Sequence, residues 1–242
     1  MIITSVNNQL IKKIESLKRK KFRDEYGLFV VQETHMIEEA LKAGCIDTLI
    51  IREGCDNVFG IEAVYVSDNV MKKISSNVSL NDYVAVCRKL DSKPDSINTA
   101  IVLENVQDPG NVGTIIRTAY AFGYDAVYLL DGCADEYNEK TIQSSQGAIF
   151  HIPVLRGNLE EVKVLKNNGL HIVATTLSSS HYLREAEKHD KFALLFGNEG
   201  NGLSDDATLL ADENIKIEMC NFESLNVANA MAICSYFYKF NQ

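Results

Sequence analysis

Four side chains stand out as candidates for chemistry: Asn111, Arg117, Glu199 and Asn226. Asn111, Glu199 and Asn226 follow apolar runs that read as strands, and Arg117 lies on the helix two turns on from Asn111, near the loop mouth. Ala100 to Leu103 leads into Asn105-Val106-Gln107-Asp108-Pro109-Gly110-Asn111-Val112-Gly113-Thr114-Ile115-Ile116-Arg117, and Phe192 to Phe196 opens into Gly197-Asn198-Glu199-Gly200-Asn201-Gly202. The strand pattern Ile215 to Met219 is followed by Asn221-Phe222-Glu223-Ser224-Leu225-Asn226. Ligands of open α/β sheets bind at such strand ends. Loops rich in glycine let backbone amides and carbonyls approach a nucleoside closely. A guanidinium at the mouth of such a site suits a phosphate or a developing negative charge, but with a pKa above about 12 it is a poor general base.

Plainer readings compete for each residue. Asn111 fits the N-cap of a helix starting after Asp108-Pro109-Gly110, and Asn226 fits the cap of the last helix. Glu199 fits a solvated turn carboxylate, Arg117 a surface arginine with a packed stem, and the glycine loop a surface turn.

The three segments together resemble, in order and character, the motifs of the SpoU/TrmH-type RNA ribose 2′-O-methyltransferases of the SPOUT class. Those motifs are Asn-x-x-Asp-Pro-x-Asn-x-Gly-x-x-x-Arg-x-Ala, Gly-x-Glu-x-x-Gly and Ser-Leu-Asn-Val, and each is matched here. The resemblance covers residues 100–240 strongly and residues 1–90 more loosely. It implies a cofactor, S-adenosylmethionine, held by Gly197, Asn198, Gly200, Gly202, Ile217, Met219, Ser224, Leu225 and Asn226. It implies catalysis by Arg117, Asn111, Glu199 and Asn226, with Arg117 either a phosphate-assisted base or, on physical grounds, a clamp on phosphate and alkoxide. It also implies a deep trefoil knot, a homodimer with the active site near the interface, and an RNA substrate, 23S rRNA or else tRNA. Lys140-x-x-Gln143-x-Ser145-x-Gly147 resembles a family Lys-x-x-Arg-x-Ser-x-Gly stretch, which puts Lys140 and Ser145 at the RNA. Gln143 replaces the usual arginine there, and Glu218 stands where proline is common.

The elements that must position these groups alternate strand and helix from Thr99 onward, with strand candidates at 100–104, 126–130, 151–155, 171–176, 192–196 and 214–219. Such alternation predicts a mostly parallel sheet covered on both faces, an α/β domain over 99–242. The polar, proline-containing stretch from Arg88 to Asn98 holds a linker at 91–98. Residues 1–90 predict a smaller α/β unit, with a helix over Val6–Leu17 whose Leu10, Ile14 and Leu17 share a face. Thr4-Ser5-x-x-Asn8 and Gly27-x-Phe29-Val30-Val31 resemble the opening of the family's ribosomal-protein-L30e-like RNA substrate-binding domain, although Gln32-Glu33-Thr34 replaces its Glu-Gly.

The net charge of −9 argues against a generally adhesive nucleic-acid binder. Its distribution is uneven: Lys18, Arg19, Lys20, Lys21 and Arg23 crowd the N-terminal unit and read as phosphate contacts, or as a solvated helix face. The six cysteines form no Cys-x-x-Cys pair and the five histidines no metal spacing, so they read as reduced thiols of a cytoplasmic protein without a metal. No apolar run approaches the ~20 residues of a membrane span, and no signal peptide is visible. Two other classes remain open. One is an NAD-dependent oxidoreductase using Gly110-x-x-Gly113 and Asp131, which lacks the Gly-x-Gly-x-x-Gly spacing. The other is a catalytically inactive RNA-binding protein, given Glu218 and Gln143. An antibiotic-resistance role is a narrower variant of the main reading.

Overall fold

In a computed structural model the chain is described over residues 2–75, 80–91, 94, 96–221 and 223–240. Parts of the predicted linker (92, 93, 95) and Phe222 of the third motif lie outside the described residues. The chain divides into two compact units, residues 1–91 with 137–143 and residues 92–136 with 144–242.

The first unit runs β1 (Ile2–Ile3), α1 (Gln9–Ser16), α2 (Lys20–Tyr26), β2 (Leu28–Gln32), α3 (Thr34–Lys42), β3 (Ile46–Arg52), β4 (Ala63–Val66), α4 (Asp68–Ile74) and β5 (Tyr83–Arg88). Its sheet has the order β1-β4-β3-β5-β2, with β5 antiparallel to both neighbours. Helix α1 begins three residues later than the hydrophobic spacing predicts, because the Asn8 side chain caps it by accepting from the Leu10 amide at 2.9 Å. Its buried seam is Ile11 and Ile14, continued by Leu17, while Leu10 is only half-buried. That seam packs on Val70, Met71 and Ile74 of α4.

The second unit runs β6 (Thr99–Leu103), α5 (Pro109–Ala121), β7 (Ala126–Leu129), α6 (Glu139–Ser145), β8 (Val154–Arg156), α7 (Leu159–Asn167), β9 (His171–Thr175), β10 (Phe192–Phe196), α8 (Asp205–Leu210), β11 (Glu213–Ile215) and α9 (Val227–Phe240). Of α6, residues 139–143 group with the first unit and only 144 and 145 with the second. The six strands are all parallel, in the order β11-β9-β10-β6-β7-β8. Every residue of β6, β7 and β10 is buried, as strands covered on both faces must be. The chain steps from β6 outward to β7 and β8, then returns to the other side of β6, where β10 inserts between β9 and β6. The carboxyl ends of β6 and β10 therefore meet where the winding reverses, the position at which open α/β sheets hold ligands.

Two strands are shorter than their sequence patterns: of the candidate at 151–155 only 154 and 155 enter β8, and β11 stops early. Ile215–Met219 alternates like a strand, yet β11 ends at Ile215. Beyond it, among the described residues, strand pairing is limited to a bridge between Lys216 and Tyr182. Among the described residues, no helix is long and apolar enough to cross a membrane.

Candidate active site

The loop after β6 is fixed by a cap. The Asp108 side chain accepts from the Asn111 amide at 2.9 Å, with Pro109 in the first helical turn of α5. Asn111 is thus inside the helix, and its side chain is released from capping. Its Nδ2 donates to Glu199 Oε1, and its Oδ1 accepts from Asn226 Nδ2 at 3.0 Å. An ionised carboxylate is an acceptor only, so Glu199 dictates which way the Asn111 amide faces. Asn226 also performs the capping duty its sequence position suggests: its Oδ1 accepts from the Ala228 amide at 2.9 Å at the start of α9. Three candidate catalytic residues, from the first turn of α5, the loop after β10 and the segment before α9, are joined in one hydrogen-bonded chain.

The glycine loop after β10 is shaped by Asn198. Its backbone exchanges two hydrogen bonds with Gly202, at 3.0 and 2.8 Å. Its Oδ1 accepts from Gly200 and Asn201, and its Nδ2 donates to the Asn105 carbonyl at 3.0 Å. A Cβ on Gly197 would stand 2.2 Å from the Gly202 carbonyl carbon, so only glycine fits. Gly202 has φ +71°, the left-handed conformation that glycine adopts without strain.

Beside this loop lies a cavity of about 430 Å³. Gly197, Asn198, Glu199, Gly200, Gly202, Ile217, Met219, Ser224 and Leu225 all line it. Asn226 does not; of the residues expected at the cofactor it alone faces the Asn111 chain instead. Phe196, Leu203, Ile217 and Val227 give apolar walls and the loop gives exposed backbone, within the size range of small-molecule sites. That lining fits an adenosine carrying an amino-acid tail, and the early end of β11 is explained by it, since Ile217 and Met219 leave the sheet to form one wall. Thr175, Thr176, Leu177 and Ser178 also line the cavity, and sequence reasoning passed over them. The signal was present: Thr175-Thr176-Leu177-Ser178-Ser179-Ser180 is a polar stretch at a strand end, here that of β9. Glu218 turns away to Arg184, accepting from its amide at 3.4 Å.

Arg117 is exposed on α5, does not line the cavity and has no hydrogen bond or ion pair among the described residues. The basic cluster is thinner than the sequence implied. Arg23 is 5% exposed and its Nη1 donates to the Leu17 carbonyl at 2.7 Å, which takes it off the surface. Lys18 Nζ donates to the carbonyls of Lys73 and Ser75 at the end of α4. Lys20 pairs with Asp24 at 2.6 Å, leaving Arg19 and Lys21 outward. Ser145 is fully buried and cannot meet RNA at the surface, whereas Lys140 is exposed. The dinucleotide alternative loses its loop, because Gly110 and Gly113 lie inside α5.

Comparison with known proteins agrees with this geometry. Residues 98–236 match the model of the SpoU rRNA Methylase family, and residues 8–85 that of the MRM3-like substrate binding domain. The chain is 37% identical over 243 residues to the 23S rRNA (guanosine(2553)-2′-O)-methyltransferase RlmP of Bacillus subtilis, spanning 97% of each protein. Among solved structures it is similar to the AdoMet-bound rRNA methyltransferase of Sinorhizobium meliloti, with TM-score 0.89 and 29% identity over 100% of this chain and 98% of that one. It is also similar to an RNA 2′-O ribose methyltransferase, with TM-score 0.83 and 30% identity over 98% of both chains.

Proposed function

The chain belongs to the SpoU rRNA methylase family and is an S-adenosylmethionine-dependent RNA ribose 2′-O-methyltransferase, and from that premise we propose that it methylates a guanosine ribose of 23S rRNA, in the cytoplasm, as a homodimer. S-adenosylmethionine supplies an electrophilic methyl group when bound. The residues that would hold it are Gly197, Asn198, Gly200, Gly202, Ile217, Met219, Ser224 and Leu225, which line the cavity. The observation that carries the reading is the chain Glu199–Asn111–Asn226, which joins the first turn of α5 to the loop after β10 and the segment before α9. Its amides orient the ribose so that the 2′-oxygen is held in line, an entropic contribution to rate. Arg117 clamps the target phosphate and stabilises the developing alkoxide while the 2′-hydroxyl proton passes to solvent water; its exposed guanidinium is free of intramolecular partners among the described residues, as that role requires.

A guanosine of 23S rRNA is favoured by the 37% identity to RlmP across 97% of both chains. The homodimer is supported by an exposed apolar stripe on α9: Ile233, Tyr236 and Phe240 are 43%, 60% and 52% exposed on one face. The test is to incubate the protein and labelled S-adenosylmethionine with unmodified 23S rRNA and with tRNA, then map 2′-O-methyl positions. A single methylated guanosine in 23S rRNA is expected. Label entering tRNA alone, or no RNA at all, would overturn the assignment.

A further inference from the structure

Helix α2 presents two aromatic rings among cations, and no part of the cofactor site uses them. Phe22 and Tyr26, one turn apart, are stacked with ring centroids 6.1 Å apart and planes within 20°. Lys13, at the end of α1, holds its Nζ 5.2 Å from the Tyr26 ring, and Lys21 Nζ is 5.9 Å from the Phe22 ring. Tyr26 remains 41% exposed. Neither ring belongs to the buried core cluster of the first unit.

We propose that Phe22 and Tyr26 form a stacking platform for an unpaired base of the substrate RNA, flanked by Lys13, Arg19 and Lys21 as phosphate contacts. The proposal rests on the reading of the chain as an RNA methyltransferase. Charge favours this occupant. Residues 1–91 are charge-balanced, so the whole net charge of −9 belongs to the rest of the chain. Around the platform the acids are already neutralised: Asp24 lies between Lys20 and Lys89, at 2.6 and 2.5 Å, and Glu15 is paired with Lys73 at 2.6 Å. Glu25 is the one exposed acid of α2 with no ion pair among the described residues. Tyr26 stays exposed with cations beside it, and aromatic–base stacking with adjacent cations is the usual means of holding single strands. A duplex keeps its bases in its own stack and offers no such face.

The chain has no tryptophan, so Tyr26→Trp installs a single reporter. With a ten-nucleotide oligouridine as probe, its emission should be quenched on binding. Tyr26→Ala should weaken oligouridine affinity roughly five- to a hundredfold, from the typical strength of one stacked base. Its salt slope should be unchanged, because the phosphate contacts survive. Tyr26→Phe should bind as the parent does. Lys13→Gln with Lys21→Gln should instead lower the slope by about 1.4, or 0.7 for each contact on a single strand. A duplex of equal length should not distinguish Tyr26→Ala from the parent. Unquenched tryptophan, or equal oligouridine affinity for parent and Tyr26→Ala, would overturn the platform. The functional reading fails separately, if the parent protein methylates no RNA while Tyr26→Ala still loses oligouridine affinity.

Discussion

Asn226 donates its side-chain amide to Asn111 Oδ1 at 3.0 Å, across 115 positions of sequence. The bond gives Asn226 two tasks, since its own Oδ1 caps α9. The tasks are separable. Asn226→Asp keeps an acceptor for the Ala228 amide but cannot donate to Asn111. It should retain the parent melting temperature within the scatter of surface substitutions and lose most methyl transfer. Asn226→Ala should lose both, with about 1 kcal/mol of stability for the missing cap. Comparing thermal melts with turnover for the two variants checks this; an active Asn226→Asp would remove the Glu199–Asn111–Asn226 chain from the mechanism.

Gly197→Ala should abolish cofactor binding. The new Cβ would lie 2.2 Å from the Gly202 carbonyl carbon and 2.3 Å from the Leu203 nitrogen, both backbone atoms that cannot swing aside. The loop must open, and the cavity wall opens with it. Calorimetric titration with S-adenosylmethionine is the measurement, and an unchanged dissociation constant would contradict it. Gly200→Ala is a useful control, because its Cβ meets only a side-chain oxygen at 3.3 Å.

The contrast between these residues shows what a sequence can carry. The apolar runs of β6 and β10 and the glycine loop after β10 are local patterns, and the structure places them as read. The all-parallel sheet follows from alternation, but the insertion of β10 between β9 and β6 does not, since strand order is set by non-local packing. Asn111 illustrates the same limit at the site. From sequence, a cap and a functional amide were equal readings; only the Asp108 cap, three residues earlier, shows that the Asn111 side chain is free for Glu199 and Asn226. Charge misled where it was densest. Periodicity does not reveal that the Arg23 guanidinium turns inward to the Leu17 carbonyl, or that Lys18 reaches α4.

Arg117→Ala should leave fold and cofactor affinity intact while removing methyl transfer. The side chain is exposed, has no partner among the described residues and lies outside the cavity wall. Its loss should therefore cost less than about 0.5 kcal/mol of stability. Equilibrium binding of S-adenosylmethionine and single-turnover methylation, run side by side, give the answer. Weakened cofactor binding would move Arg117 into the other site.

Asp24 links acid stability to the first unit. The Lys20 and Lys89 ammonium groups, each hydrogen-bonded to it, lower its pKa to about 2. A carboxylate depressed in the folded state contributes stability above its unfolded pKa of about 3.9, and loses it as pH falls toward 2. The pairs are exposed, so each contributes at most about 1 kcal/mol. Asp24→Asn should be slightly less stable than the parent at pH 7 and equal to it below pH 2. Urea melts across that range test the convergence; a difference that persists at low pH would assign the effect to packing.

The basic cluster should divide under mutation. Lys18 Nζ donates at 3.0 Å to the Lys73 carbonyl and at 3.3 Å to that of Ser75, where a cation favours the end of α4. Lys18→Gln should therefore lower stability by about 1 kcal/mol, the typical net value of such a bond, with little change in RNA binding. Arg19 and Lys21 point outward, so Arg19→Gln with Lys21→Gln should leave the melting temperature alone and flatten the salt dependence. Two lost phosphate contacts remove roughly 1.4 to 1.8 from the slope of log affinity against log salt. Binding isotherms at several salt concentrations, alongside thermal melts, separate the two groups. A Lys18→Gln variant that keeps its stability and loses slope would return that lysine to the RNA interface.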